Sequence, residues 1–461
     1  MIRDNTRNKT EQMGTDFTRG SIYSHLFTFM FPLLLAGILN SIYNMVDTIV
    51  VGQILGTAGN VAVSTGGRVM MIVTLFSMSM ASAGQIIISQ LVGSGRRQEM
   101  NDTIGTFFSL LGIISTGLCL VFLLLSRNLI TWLQTPDTSF DGALAYLRIT
   151  SLGMPLLFGY NASCAILRGM GDSKRPLIFI AIAAVVNLLL DLLFVVRMGM
   201  GAAGTAWATL IGQGVSFLFA IVFLYHRKDA FGFDFRLNSF RLRGKTVGLI
   251  LKIGLPMSAN GLFISGTQVF MQGFINACGE VQSAAYNVAD KVLTIESVFS
   301  TSIQQAGSSI VAQNIGAGKT DRVSELVRKS LVLGLTVSAV TSAAVCLFPE
   351  QIFRLFINDA QVISDYSHPL MYLSVIPFVI SAINSAYYAV TIGTGFSTLT
   401  LFAGFMDGVV LRIALGLLFG LVMGKGVIGY YMGHCFARLA PVSCNLWYYI
   451  SGRWKTRKIL K

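Results

Sequence analysis

LFTFMFPLLLAGILNSIYNMVDTIVV, residues 26–51, contains one charged side chain, Asp47. About 20 predominantly apolar residues suffice for an α-helix to cross the hydrocarbon core of a bilayer. Comparable runs recur at Leu110–Leu125, Ile178–Val196, Leu331–Leu347 and Val409–Val422. Only 12% of the 461 residues are charged and mean hydropathy is +0.67, against about 25% charged residues in soluble domains. The pattern predicts helical spans at 26–51, 62–90, 103–125, 143–167, 176–196, 203–225, 247–275, 284–313, 327–348, 367–391, 398–421 and 427–449. The chain therefore reads as an all-α integral membrane protein with about twelve transmembrane helices. A membrane barrel would show short alternating strands instead.

The formal net charge is +13, but the basic residues lie at the ends of spans. They gather at the N-terminus (Arg3, Arg7, Lys9, Arg19), at Arg96-Arg97, Lys174-Arg175 and Lys319/Arg322, between Arg227 and Lys245, and at the C-terminus from Arg453 to Lys461. The opposite loops hold little beyond Arg127, Arg197, Arg354 and Lys425. The positive-inside rule then puts both termini in the cytoplasm of a bacterial inner (plasma) membrane protein. It makes the charge a topology signal rather than a nucleic-acid surface. The six cysteines form no CxxC or zinc spacing and read as small packing residues. The polar start of the chain does not fit a cleavable signal peptide.

The long charged stretch between the sixth and seventh spans divides the chain. The expected organisation is an N-terminal tail (1–25), an N-lobe (26–225), a connecting loop (226–246), a C-lobe (247–449) and a basic tail (450–461). The two halves repeat. Pro32 and Gly37 match Pro256 and Gly261, an offset of 224 (256 − 32). Arg68 matches Lys291, Ala83-Gly84 matches Ala306-Gly307, and Gln90-x-x-Gly93-x-Gly95 matches Gln313-x-x-Gly316-x-Gly318. Asn161 matches Asn384, and Gly169-x-Gly171-x-Ser173 matches Gly393-x-Gly395-x-Ser397. Six helices per half is an even number, so both halves enter the membrane from the same side. This predicts two six-helix lobes related by a pseudo-two-fold along the membrane normal, a design suited to alternating access. Such a pair needs no second copy, so a monomer is expected.

An acid at mid-membrane costs about 2.5–3.5 kcal/mol on insertion scales, and such groups usually face a bundle interior and work there. Asp47 is the foremost case. Asn44 and Tyr43 lie one turn back on its helical face and Asn40 two turns back. Asn187 and Asp191 are four residues apart in the fifth span, Thr205, Thr209 and Gln213 recur at the same spacing in the sixth, and Asn161 lies in the fourth. Two carboxylates with amide and hydroxyl oxygens form a hard-oxygen nest suited to a proton or a transient Na⁺. The amides and hydroxyls also fit ordinary helix-to-helix hydrogen bonding. The second half departs from this pattern: Asp47 aligns with Phe270 or Met271, and the seventh span carries an amide stripe of Asn260, Gln268, Gln272 and Asn276 with no acid. Those amides suit a substrate path or packing. Glu296 and Asp407 are further candidates for contact with a substrate cation. Asp290 and Lys291 suggest an ion pair or surface role, and His434 a hydrogen-bonded packing residue. The glycine runs at 199–204 and 424–429 follow no strand and read as tight turns rather than a dinucleotide site. No Walker motif points to ATP, and no cofactor or structural metal is expected.

These landmarks together resemble the multidrug and toxic compound extrusion (MATE) transporters. The resemblance rests on Pro32-Leu-Leu-Leu-Ala-Gly37 followed by Tyr43-Asn-Met-Val-Asp47-Thr-Ile-Val-Val-Gly52. It rests also on Gln90-Leu-Val-Gly93, Leu167-Arg-Gly-Met-Gly171-Asp-Ser, Asn187-Leu-Leu-Leu-Asp191 and Gly201-Ala-Ala-Gly204-Thr. It spans about Thr18 to Tyr449 and is nearest the bacterial multidrug branch. It implies twelve helices in two V-shaped lobes that export small organic cations, amphipathic in character, against a proton or Na⁺ gradient. It also implies a cation site in the N-lobe at Asp47, Asn187 and Asp191, supported by Asn161 and Thr209. A second branch carries acids in the seventh and tenth helices, and spans 247–275 and 367–391 hold none. The competing expectations are a flippase of lipid-linked precursors, which calls for several basic residues in its cavity, and a membrane enzyme. Four scattered histidines without a paired nucleophile or metal cluster argue against the enzyme.

Overall fold

A computed structural model of the chain describes residues 14–457, 459 and 460; the side chains of Asn44 and of residues 46–50 lie outside the described residues. The described residues are helical and contain no strand. The helical stretch Ile22–Ser94 is broken at Gly56 (φ 63°, ψ −163°), which separates α1 (22–55) from α2 (57–94). Then follow α3 (Met100–Trp132), α4 in two pieces (Asp137–Leu152 and Met154–Gly169), α5 (Lys174–Asp191, extended by a π-helical turn Leu192–Arg197) and α6 (Gly201–His226). The second half has α7 (Gly244–Ala277), α8 (Glu280–Gly316), α9 (Thr320–Leu347) and α10 (Ala360–Gly393). It closes with α11 (397–422) and α12, itself in two pieces (Gly426–Ala437 and Leu439–Ile450).

Nine of the described helices are long and apolar enough to cross a membrane, and ten if the bent α4 is one span. The two remaining have evident reasons. α8 carries Asp290, Lys291 and Glu296 in its first half and is rich in Ser, Thr, Gln and Asn in its second (297–314). α12 is interrupted at Arg438, so neither of its pieces, 12 residues each, spans alone. The expected single span 143–167 is instead bent by 46°, with Pro155 in the first turn of its second piece, where a missing N–H costs nothing.

Among the described residues two compact units emerge: 14–16 with 31–254, and 17–30 with 255–460. In the first, α5 packs on α6, the first piece of α4 on α6, and α3 on the second piece of α4. In the second, α10 packs against both α8 and α9, burying Leu370, Met371 and Phe378 among Tyr286, Val292 and Leu293. The unit boundaries fall at Phe31 and Leu255, one residue before Pro32 and Pro256, so the division keeps the offset of the sequence repeat.

The segments ahead of α1 and α7 are tied down. Phe17 N–H donates to Gln313 Oε1 (3.1 Å), while Asn314 Nδ2 (3.2 Å) and Arg322 Nη2 (2.9 Å) donate to Phe17 O. Arg322 also donates to the Gly20 carbonyl (3.0 Å) and Lys319 to that of Thr18 (2.8 Å). In the other unit, the Thr106 hydroxyl donates to Arg241 O (3.0 Å), and Arg243 pairs with Asp102 at 2.8 Å.

The repeated glycines are contact points. In membranes helix association relies on close packing, which small residues permit. A Cβ at Gly169 would lie 2.9 Å from both Gln85 O and Ile88 Cγ2 of α2; one at Gly393 would lie 2.8 Å from Ser308 O and 2.6 Å from Val311 Cγ1 of α8. Both contact pairs keep the repeat offset (308 − 85 and 311 − 88 are each 223), so the repeat preserves a helix crossing. We expect Gly169→Ala and Gly393→Ala each to destabilise the protein by about 1–3 kcal/mol through overpacking. Gly112→Ala, with no atom near its new Cβ, is the neutral control. Thermal melts in detergent micelles read the difference.

Candidate functional site

In the first unit, α5 and α6 bury a polar cluster inside apolar helices. Asp191, the last residue of α5 before its π turn, is 1% exposed and Asn187 is 3% exposed. Asn187 Nδ2 donates a long, weak bond to Thr209 Oγ1 (3.5 Å). Asn187 Oδ1 and the fully buried Thr205 hydroxyl have no hydrogen-bond partner among the described residues. Gly212 makes the approach possible, since a Cβ there would stand 3.2 Å from Asn187 Cβ. The packing of α5 on α6 thus joins Asn187 to Thr209, and Asp191, one turn on from Asn187, is buried as well. Buried oxygens that lack donors are what a bound proton donor or cation satisfies.

Asn161 is held differently. Its amide donates to Ser77 Oγ of α2 at 3.0 Å, a partner that carried no sequence signal beyond being a serine in an apolar span. On α1, Asn40 is exposed and Tyr43 half-buried. Asp47 and Asn44, both named from the sequence, lie outside the described residues.

The second unit has an open cavity of about 270 Å³ with a mixed wall, lined in part by Asn260, Gln268, Asn384, Asp407, Arg412 and Arg438. Asp407 does not stand alone to meet a substrate cation. Arg412 Nη2 donates to its Oδ1 at 2.9 Å, with both side chains at most 6% exposed. The two residues are five apart. The 3.6-residue period would splay them, but the segment Phe405–Leu411 is π-helical, and its wider turn brings i and i+5 together. Glu296 is buried, accepts from the Ser300 hydroxyl (2.7 Å), and its Oε2 has no partner among the described residues.

Gln268 lines the cavity, whereas Gln272 donates to Asn276 Oδ1 (2.8 Å) in an exposed contact. Of the ion pair or surface role expected for Asp290 and Lys291, the structure fits the surface role: Lys291 is exposed, Asp290 is partly exposed, and the two have separate partners. Lys291 lies over the Phe356 ring at 5.5 Å, and Asp290 Oδ1 is 4.0 Å from His434 Nδ1. His434 is buried and hydrogen-bonded to the Tyr286 hydroxyl (2.9 Å).

The sequence model of the MatE family matches this chain twice, over residues 32–193 and 256–418. The chain belongs to the MatE family. The two matches start 224 residues apart, the interval of the internal repeat, so each half is one family unit. Curated relatives share this length. The probable multidrug resistance protein YpnP of Bacillus subtilis (strain 168) is 28% identical over 449 residues, covering 96% of this chain and 98% of that one. The probable multidrug resistance protein NorM of Thermotoga maritima is 23% identical over 95% of this chain and 94% of that one. Among solved structures, an outward-facing multidrug resistance MATE transporter superposes with a TM-score of 0.89 at 20% identity, covering 96% of this chain and 99% of that one. A MOP superfamily transporter from Pyrococcus furiosus, described as having a binding pocket of reversed polarity, superposes at 0.88 with 22% identity, covering 95% and 98%. At these identities the structures establish the fold: an all-α membrane protein of the twelve-helix, two-lobe MATE type. Members of this multidrug efflux family are membrane transporters, not enzymes, and this MatE chain is a multi-pass member.

Proposed function

We propose that this MatE protein is a secondary antiporter of the bacterial plasma membrane, with both termini cytoplasmic, that exports cationic amphipathic compounds in exchange for H⁺ or Na⁺. The ion is held in the first unit by Asp47 and Asp191, with Asn187, Thr209 and Asn161 in support. The observation that carries this reading is Asp191, 1% exposed at the end of apolar α5 and one turn from Asn187, whose amide oxygen lacks a donor among the described residues. Acids buried within membrane helices commonly mark proton or cation pathways. Alternating access then requires only that the ion bind one state of the transporter better than the other. No Asp or Glu in the α7 stretch 247–275 or the α10 stretch 367–391 offers a second coupling site. The relatives are named for multidrug resistance, which lends the flippase reading no support.

The test is efflux of ethidium from cells lacking their own pumps. Expression should speed energised efflux, and collapsing the coupling gradient should abolish the gain. A protonophore alone would identify H⁺; a Na⁺ ionophore alone would identify Na⁺. Efflux indifferent to both would overturn ion coupling.

A further inference from the structure

α5 and α6 run antiparallel, and two glycine contacts fix their register. A Cβ at Gly212 would stand 3.2 Å from Asn187 Cβ, and one at Gly204 would stand 3.1 Å from Phe194 Cβ. From the pair Asn187–Thr209, one turn forward along α5 reaches Asp191 and one turn back along α6 reaches Thr205. In an antiparallel pair these two steps lead the same way, so Asp191 and Thr205 form a second rung beside the first. At about 100° per residue, Thr205 lies within about 40° of both Gly212 and Thr209 around α6, and so on the face that meets α5. Thr205 is 0% exposed, and its hydroxyl has no hydrogen-bond partner among the described residues. A threonine inside an apolar helix commonly bonds the carbonyl four residues back. Thr74, Thr150, Thr336 and Thr394 do so in this chain, at 2.8–2.9 Å; Thr205 does not. Across from it, Asp191 is the one charged residue between Pro176 and Val196, and the helix passes into its π turn at the next residue.

We infer that Thr205 is a ligand of the coupling ion: its hydroxyl oxygen completes, from α6, the oxygen shell that Asp191 and Asn187 supply from α5. The inference rests on the ion-coupling proposal and adds to it the residue that sets how tightly the ion is held. A small hard cation takes several oxygens at once. The two helices offer it a carboxylate, the Asn187 Oδ1 without a donor and the Thr205 Oγ1 without a partner, all within one turn along the pair. A buried hydroxyl left without a partner carries its full desolvation cost, and an ion in the shell removes that cost. Asp191 supplies the charge, whereas Thr205 supplies affinity.

The test is ethidium transport by proteoliposomes of the purified full-length protein, driven by an imposed Na⁺ or proton gradient, with the concentration of the driving ion varied. Thr205→Val keeps the shape of the side chain and removes only the hydroxyl. It should raise the half-saturating concentration of the driving ion about tenfold, the usual effect of losing an interaction with a charged group. The change should fall on that concentration rather than on the maximal rate. Thr205→Ala should do the same, which keeps the test open if Thr205→Val fails to fold. Thr205→Ser, which retains the hydroxyl, should keep the wild-type value. Wild-type half-saturation in Thr205→Val and Thr205→Ala, alongside lost coupling in Asp191→Asn, would overturn the inference and leave the ion-coupling proposal standing. The hydroxyl would then be a packing group or the seat of a buried water. A Thr205→Ser variant as impaired as Thr205→Val would also overturn it, since shape rather than the oxygen would be at stake. Full coupling in Asp191→Asn would overturn the inference and the ion-coupling proposal together.

Discussion

Asp191→Asn folds and loses gradient-driven export by about 10- to 100-fold. The substitution keeps the shape of a side chain that is 1% exposed and removes only its ability to exchange a proton or bind a cation. Coupling between two ligands of one transporter is typically about 1–3 kcal/mol, or roughly 5- to 150-fold, and that is the part the carboxylate supplies. The residual rate should be the same in energised and de-energised cells. The comparison is initial ethidium efflux at equal membrane expression. Ethidium affinity of the purified variant should stay near that of the wild type, which separates lost coupling from lost substrate binding. Full gradient-driven export by Asp191→Asn would move coupling away from the α5–α6 cluster.

Arg412→Met alone is expected to be the most destabilising single change in the second unit. It strands the Asp407 carboxylate, 6% exposed and paired with Arg412 at 2.9 Å, inside a membrane lobe. Breaking a buried pair from one side costs about 3–5 kcal/mol, whereas replacing both partners is often neutral. The double variant Asp407→Asn/Arg412→Met should therefore recover most of the lost melting temperature in detergent. Equal damage from the single and the double changes would show that Arg412 acts through packing rather than by neutralising Asp407.

What the sequence disclosed follows from periodicity. Apolar length marked the spans, and the constant offset of Pro32/Pro256 and Gly169/Gly393 disclosed the repeat before any helix crossing was known. The four-residue rule put Asn187 with Asp191 and Thr205 with Thr209, each pair on one helical face, because α5 and α6 are regular there. The same rule failed at Asp407 and Arg412, since a π turn changes the period and no residue type announces it. Asn161 found Ser77 rather than the α5–α6 cluster, a choice set by helix order and rotation that spacing within one helix does not encode. Nor did adjacency in sequence pair Asp290 with Lys291. Neighbours along a helix point about 100° apart, and each turned to its own partner. The break at Gly56 fell between two predicted spans, where glycine tolerates a positive φ that other residues resist. Asp47, the first residue the sequence singled out, lies outside the described residues, so its part in the site rests on its place in the first span.

In the proposed function, an ion bound in the first unit drives substrate uphill. Proteoliposomes holding the purified protein, given an imposed proton or Na⁺ gradient and equal ethidium on both sides, test it directly. The wild type should concentrate ethidium against its own gradient under one of the two ion gradients, and Asp47→Asn and Asp191→Asn should equilibrate ethidium without concentrating it. Uphill accumulation by both variants, or none by the wild type under either gradient, would contradict it.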